Sequence, residues 1–321
     1  MMQKILKKVD NGINITKQDA VALLNTDNHS NEYYQILSKA NELSRKEYGD
    51  RGYVFVQIGL NSNACSGNCK FCSLSKDLFT AESVVNKSED EILSEAEKAS
   101  RQNIDALFLM TTADYDFDKY ISISKKVKSL LPKNVKLVGN IGDFDPQKAR
   151  ILKNAGFAAM YHVVRLREGE DTDIPREKRL STLNAMKEEG LELYYCVEPI
   201  GPEHTYEEIA DEMIRAREYG VDVMAVMRRV NVNDTDYFPI KQITDLEITK
   251  IAAVARMVTR PKASMNIHEP LPMALIAGVN QLYAEIGVNP RDSKVDTEKN
   301  RGYTVSQIKD MLTDAGYDRF L

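Results

Sequence analysis

Eight short apolar runs, separated from one another by stretches of helical periodicity, constrain this chain more than any other feature. They are YVFVQIGL (53–60), ALFLM (106–110), VKLVGN (135–140), AAMYHVV (158–164), LELYYCV (191–197), VDVMAVM (221–227), ASMNI (263–267) and QLYAEIG (281–287). Runs of this length read as buried strands, and strands alternating with helices build parallel sheets. The intervening helices carry end signals. Ser88 with Glu91, and Thr205 with Glu208, have the spacing of capping boxes. Asp145-Pro146 offers an N-cap followed by Pro in the first turn, and Gly156 closes that helix. Further helices are expected over 118–131, 177–190 and 242–259, with a short turn at 271–279. Eight strands with their crossovers are the count of an α/β fold of the (β/α)8 TIM type. A doubly wound sheet uses the same alternation and is the competing architecture.

Residues 1–50 read as an N-terminal helical extension, 51–302 as the barrel, and 303–321 as a C-terminal capping helix. In the extension, ITKQDAVALL and NEYYQILSKANELSRKEYG space their apolar residues for one helix face. The chain has 43 Lys and Arg against 48 Asp and Glu, a net charge of −5, which argues against a nucleic-acid binder. No apolar run approaches the roughly 20 residues of a membrane span, and charge appears too early in MMQKILKKVDNG for a secretory leader. A cytoplasmic protein is expected, with a small-molecule substrate and neither nucleic acid nor membrane as partner.

Three of the four cysteines lie together in ACSGNCKFCSLSKD, as Cys65, Cys69 and Cys72, directly after the first strand. A barrel places its functional loops there. Three thiolates can hold three irons of a [4Fe–4S] cluster and leave the fourth open to a chelating ligand. Gly67 allows the tight turn between them, and Phe71 is placed to shield the centre. Zinc completed by His or Asp is the alternative, although structural zinc sites usually pair two CxxC knuckles and no second knuckle exists here.

CxxxCxxC with an aromatic before its third Cys, placed after strand one, resembles the radical S-adenosylmethionine (SAM) superfamily. The helical extension, the strand count and phrases such as VEPIGPEHT and AGVNQLYAEIG are similar to its biotin synthase-like group. The resemblance implies a [4Fe–4S] cluster on Cys65, Cys69 and Cys72, SAM chelated at the open iron, and a one-electron donor such as flavodoxin or ferredoxin. Reductive cleavage of SAM then yields a 5′-deoxyadenosyl radical that abstracts hydrogen from an unactivated carbon. At the end of strand four the resemblance points to Arg165 for the SAM carboxylate and Glu168 for the ribose, with Asn140 or Asp143 as the other ribose candidates. Thr111 stands, with Thr112, where the superfamily often contacts the methionine amino group. A solvated charged loop is the plain alternative for the strand-four segment.

The chain also departs from biotin synthase. That enzyme typically has CPxDCxYC where this chain has CSGNCKFC, and it holds a sulfur-donating auxiliary cluster on strands two, three, five and seven. The corresponding stretches ALFLMTT, VKLVGN, LELYYCV and ASMNIHEP supply one cysteine, Cys196. Cys196 reads as a small buried hydrophobe, as a cluster ligand helped by His268, or as a catalytic hydrogen donor. One cluster per chain is therefore expected, with radical rearrangement or simple hydrogen abstraction on a small carboxylate-bearing aliphatic substrate. Sulfur insertion with an auxiliary cluster involving Cys196 is the alternative, and a non-catalytic iron–sulfur or zinc protein is the alternative of another class. For substrate binding the strand ends offer Glu198, Arg228, Arg229 and His268, with Asn266 and Glu269 beside the last. The two guanidinium forks suit a carboxylate; an ion pair at the barrel rim is the other reading of both. Asn289-Pro290-Arg291-Asp292 is expected to close the barrel mouth.

Overall fold

The computed structural model describes residues 1–79, 85–287 and 302–321. The segment 289–292 lies outside them. Eight parallel strands close into one barrel in sequence order. They are β1 (Tyr53–Gly59), β2 (Ala106–Met110), β3 (Lys136–Asn140), β4 (Ala159–Tyr161), β5 (Glu192–Ile200), β6 (Val223–Arg228), β7 (Ser264–Ile267) and β8 (Gln281–Glu285). The closed order settles the architecture in favour of the barrel over the open sheet.

Helices α1 (Met2–Asp10), α2 (Lys17–Leu24) and α3 (Asn31–Tyr48) precede the barrel. The crossovers are α4 (Glu89–Ser100), α5 (Phe117–Leu130), α6 (Pro146–Asn154), α7 (Arg176–Glu189), α8 (Tyr206–Glu218), α9 (Asp245–Thr259) and α10 (Pro272–Leu275), and α11 (Val305–Asp314) follows the last strand. Both capping boxes form: Ser88 with Glu91 opens α4, and Thr205 with Glu208 opens α8. Asp145 caps α6 with Pro146 at its first turn. α3 packs on α9, where the buried Arg256 reaches Glu47 at 2.7 Å. Gly278, in the loop between α10 and β8, lets that loop lie against α3, because a Cβ there would stand 2.6 Å from the backbone oxygen of Ala40.

Alternate strand residues face inward, and at mid-height those are aromatic. Phe55, Phe108, Tyr194 and Tyr283 form one cluster with ring centroids 5.1–5.9 Å apart. The rings fill the barrel's waist, as packed barrel interiors require. Toward the C-terminal ends the inward positions turn polar, and the site begins there.

Candidate active site

The cysteine loop leaves β1 under tight local control. Asn61 exchanges hydrogen bonds with Thr112, its Nδ2 donating to the hydroxyl at 2.8 Å and its Oδ1 accepting from the backbone N–H at 3.0 Å. Asp114 accepts from both the backbone and the hydroxyl of Ser66 at 2.6 Å. The loop after β2 therefore anchors the loop after β1. From the other side, Lys70 N–H donates to the Asp171 carbonyl at 3.0 Å and Asp173 N–H to the Gly67 carbonyl at 2.8 Å. A Cβ on Gly67 would come 3.0 Å from the Cδ1 of Ile174, so a larger residue there would push that side chain aside.

All three loop cysteines are free thiols; Cys69 is buried and Cys65 and Cys72 are half-buried. Burial pushes the Cys69 thiol up to about 12, with Arg165 pulling the other way. Among the described residues, no three His, Cys, Asp or Glu side chains converge to hold a single metal ion. Thiols that bind separate irons of a cluster need no such convergence. The donor set, three free thiols on one ordered loop beside a guanidinium, fits a [4Fe–4S] centre with one open iron.

An alternating chain of charges runs beneath this loop. Asp143 meets His162 and Arg179, each at 3.3 Å; Arg179 meets Glu168 at 3.3 Å. Arg165 then stands 3.7 Å from Glu168 and 3.7 Å from Glu198. Burial opposes ionisation of Asp143, but the adjacent His162 and Arg179 hold its carboxyl far below the usual range. Burial would lower the Arg165 pKa, yet Cys69 and the two glutamates raise it further. Arg165 Nη1 is buried and has no hydrogen-bond partner.

The placements change several expectations. Glu168, the residue expected at a ribose, has its carboxylate engaged within the protein. Its side chain is wholly buried, and its oxygens accept from the Arg165 backbone at 2.9 Å and the Thr172 hydroxyl at 2.6 Å. Arg228 pairs with Asp245 at the start of α9. Arg229 is 1% exposed and donates to Glu203 at 2.7 Å, to Asn231 at 2.9 Å and to the Tyr237 and Ile240 carbonyls. Arg229 is enclosed in the protein, while Arg228 is half-buried and paired with the half-exposed side chain of Asp245, so both arginines stand in ion pairs, the other reading given to them. Thr111 donates its backbone N–H to the Asn140 carbonyl at 3.0 Å, joining the β2 and β3 ends, and both side chains remain half-buried at the rim. Glu269 is exposed at a positive φ of 62°.

Cys196, Glu198 and His268 do come together inside the barrel. The Tyr161 hydroxyl donates to Glu198. The His268 ring lies 4.9 Å from Tyr283 and 5.7 Å from Tyr161. Cys196 is fully buried, and burial first, then Glu198, pushes its thiol well above the usual range. Burial lowers the His268 pKa, keeping the imidazole neutral. Tyr161, Arg179, Asn61 and Asp114 were not expected here. Tyr161 and Arg179 sit within runs that read equally well as strand core and helix face, so only tertiary contact distinguishes them.

A family model described as the Radical SAM superfamily matches residues 62–238, more than half of the chain. Biotin synthase from Pelotomaculum thermopropionicum is 25% identical over 300 residues, covering 88% of this chain and 91% of its own length. Biotin synthase from Clostridioides difficile is 24% identical over 272 residues, covering 80% and 82%. Among solved structures, methylornithine synthase superposes with a TM-score of 0.83 at 16% identity, covering 97% of this chain and 96% of that one. The FeFe-hydrogenase maturase from Carboxydothermus hydrogenoformans gives 0.79 at 18% identity, covering 98% and 78%. At such identities the two structures speak for the fold. No helix among the described residues is long and apolar enough to cross a membrane. With the cysteine loop, the barrel and the family match in agreement, this chain belongs to the radical SAM superfamily, in its biotin synthase-like group, as an enzyme that works with a [4Fe–4S] cluster and SAM.

Proposed function

We propose that this enzyme forms a carbon–sulfur bond on a small aliphatic substrate held in the barrel. Cys65, Cys69 and Cys72 hold the cluster, and Arg165, whose Nη1 is buried 3.7 Å from Glu168 and makes no hydrogen bond, meets the SAM carboxylate. When bound, cluster and SAM supply a 5′-deoxyadenosyl radical that removes hydrogen from carbon. The chain's own residues position and enclose. Glu168, itself held by Arg179, fixes Arg165 from one side and Glu198 from the other, while the aromatic waist closes the chamber below. The electron comes from an external one-electron donor of the flavodoxin or ferredoxin kind.

The observation that carries the reaction type is Cys196, a thiol on the inner wall of β5 in a chain whose curated relatives are named biotin synthase over most of its length. In this reading Cys196 anchors the sulfur source. The second reading, single-cluster hydrogen abstraction or rearrangement, is favoured by the poverty of further ligands: the positions registered across from Cys196 are Ala225 and then Asn266. Iron and acid-labile sulfide analysis of the anaerobically reconstituted protein separates the two. Sulfide in excess of one [4Fe–4S] cluster, lost in Cys196→Ala while the SAM cluster stays, is the expected result. Equal iron and sulfide in both proteins would leave the single-cluster reading in place.

A further inference from the structure

The inner wall on the β7–β8 side carries a hydrogen-bond acceptor without a donor, Asn266 Oδ1, and beside it a donor without an acceptor, Gln281 Nε2. Strand register aligns Cys196 with Ala225, Ala225 with Asn266, and Asn266 with Gln281. Ala225 has only a methyl group, so the wall is recessed between the thiol and the amide. Asn266 is completely buried, and its Nδ2 donates to the backbone carbonyl of Gln281 at 3.1 Å. A carbonyl accepts and never donates, which fixes the orientation of the Asn266 amide. Its oxygen is therefore the free atom, buried and unpartnered. Two residues on, just past the end of β7, His268 Nε2 is also buried without a partner.

The charges nearby decide what such a wall accepts. Glu198 is already shared by the Tyr161 hydroxyl and Arg165. A substrate carboxylate would find a donor for one oxygen in Gln281 Nε2, but would set the other against the Asn266 oxygen and the Glu198 carboxylate, whereas an amide has an N–H for the one and a carbonyl for the other. An ammonium group would give up its water for a wall whose glutamate already has a guanidinium partner. A neutral N–H satisfies the Asn266 oxygen without bringing charge, and buried polar atoms are normally satisfied in this way. A neutral imidazole holds one N–H and one lone pair, so it complements either end of an amide. We propose that Asn266 and His268 form a subsite for an uncharged amide group of the substrate, its N–H donating to the Asn266 oxygen. This rests on reading the barrel as the substrate chamber, and it replaces the carboxylate-bearing substrate suggested by Arg228 and Arg229.

The test is equilibrium dialysis of hexanamide, hexanoate and hexylamine against the cluster-reconstituted, unreduced enzyme with SAM present. Hexanamide is expected to bind at least tenfold more tightly than the other two. Asn266→Leu should lose at least tenfold in hexanamide affinity, and Asn266→Asp, which keeps the side chain's shape, should shift preference to hexylamine. If Asn266→Leu does not fold, the ranking in the parent and the Asn266→Asp shift decide. Hexanoate binding as tightly as hexanamide would overturn the subsite. So would hexanamide affinity unchanged in both variants, the result expected if water alone satisfies Asn266. Because binding is read without reduction, the two proposals fail separately. Amide preference without SAM cleavage on reduction would remove the proposed function, whereas SAM cleavage without amide preference would remove the subsite.

Discussion

Arg165 stands 3.7 Å from Glu168 through Nη1 and 3.7 Å from Glu198 through Nε, and Nη1 is buried without a hydrogen bond beside the cysteine loop. A buried guanidinium with a free N–H is an anion site waiting to be filled. A hydrogen bond to a charged group contributes about 1.5–3 kcal/mol, on the order of ten- to a hundredfold in affinity. Arg165→Gln should therefore weaken SAM binding by at least about tenfold with the iron content unchanged. Unaltered SAM affinity, measured on the reconstituted but unreduced variant, would move the carboxylate contact elsewhere. The sequence offers Arg165 for this contact by residue type, because an Arg after strand four in a radical SAM barrel suits that task, and the SAM affinity of the variant tests it. What Glu168 does was not legible. Its side chain chemistry suits a ribose, but Thr172 and Arg179 claim it through contacts that span loop and helix. Arg228 and Arg229 show the same limit: residue type predicts what a side chain can bind, and partners brought by the fold decide what it does bind.

At the scale of elements, local signals were strong wherever a single turn of backbone decides the outcome. Thr205 and Glu208 cap α8 as their spacing foretold, and Glu208 also bonds Arg167 at 3.0 Å. Partial burial raises the Glu208 pKa, but Arg167 and Thr205 more than offset this and hold it at about 2. A carboxyl depressed in the folded state stabilises above its unfolded value near 4.5, and that contribution disappears as pH falls toward 2. Glu208→Gln should therefore be less stable than the parent at neutral pH and converge with it near pH 2. Thr205→Ala should cost about 1 kcal/mol by chemical denaturation. A Glu208→Gln deficit that persisted below pH 2 would show that packing, not charge, is the source. Strand limits were harder to read. β4 stops at Tyr161, three residues before its apolar run ends, because His162 turns to Asp143 and the loop toward the cysteines begins. β5 continues to Ile200, beyond its run, because Glu198 stays within the strand to receive Tyr161. Both departures place polar groups at the barrel mouth, where function overrides the apolar pattern.

For the whole molecule, the eight-fold alternation made the barrel readable before any contact was known, since each strand–helix unit is locally encoded and closure follows from their number. The mutual placement of the cysteine loop, the charge chain and the polar inner wall was not readable, because it joins residues from β1 through β8. The account's central claim is that this barrel carries out reductive cleavage of SAM at a cluster held by Cys65, Cys69 and Cys72. The most direct measurement is 5′-deoxyadenosine formation from SAM by the anaerobically reconstituted, dithionite-reduced enzyme, set beside the variant with all three cysteines changed to Ala. The account predicts 5′-deoxyadenosine and methionine from the parent, and neither product nor cluster-bound iron from a variant that keeps its far-ultraviolet circular dichroism. A triple variant that retained iron and continued to cleave SAM would contradict it.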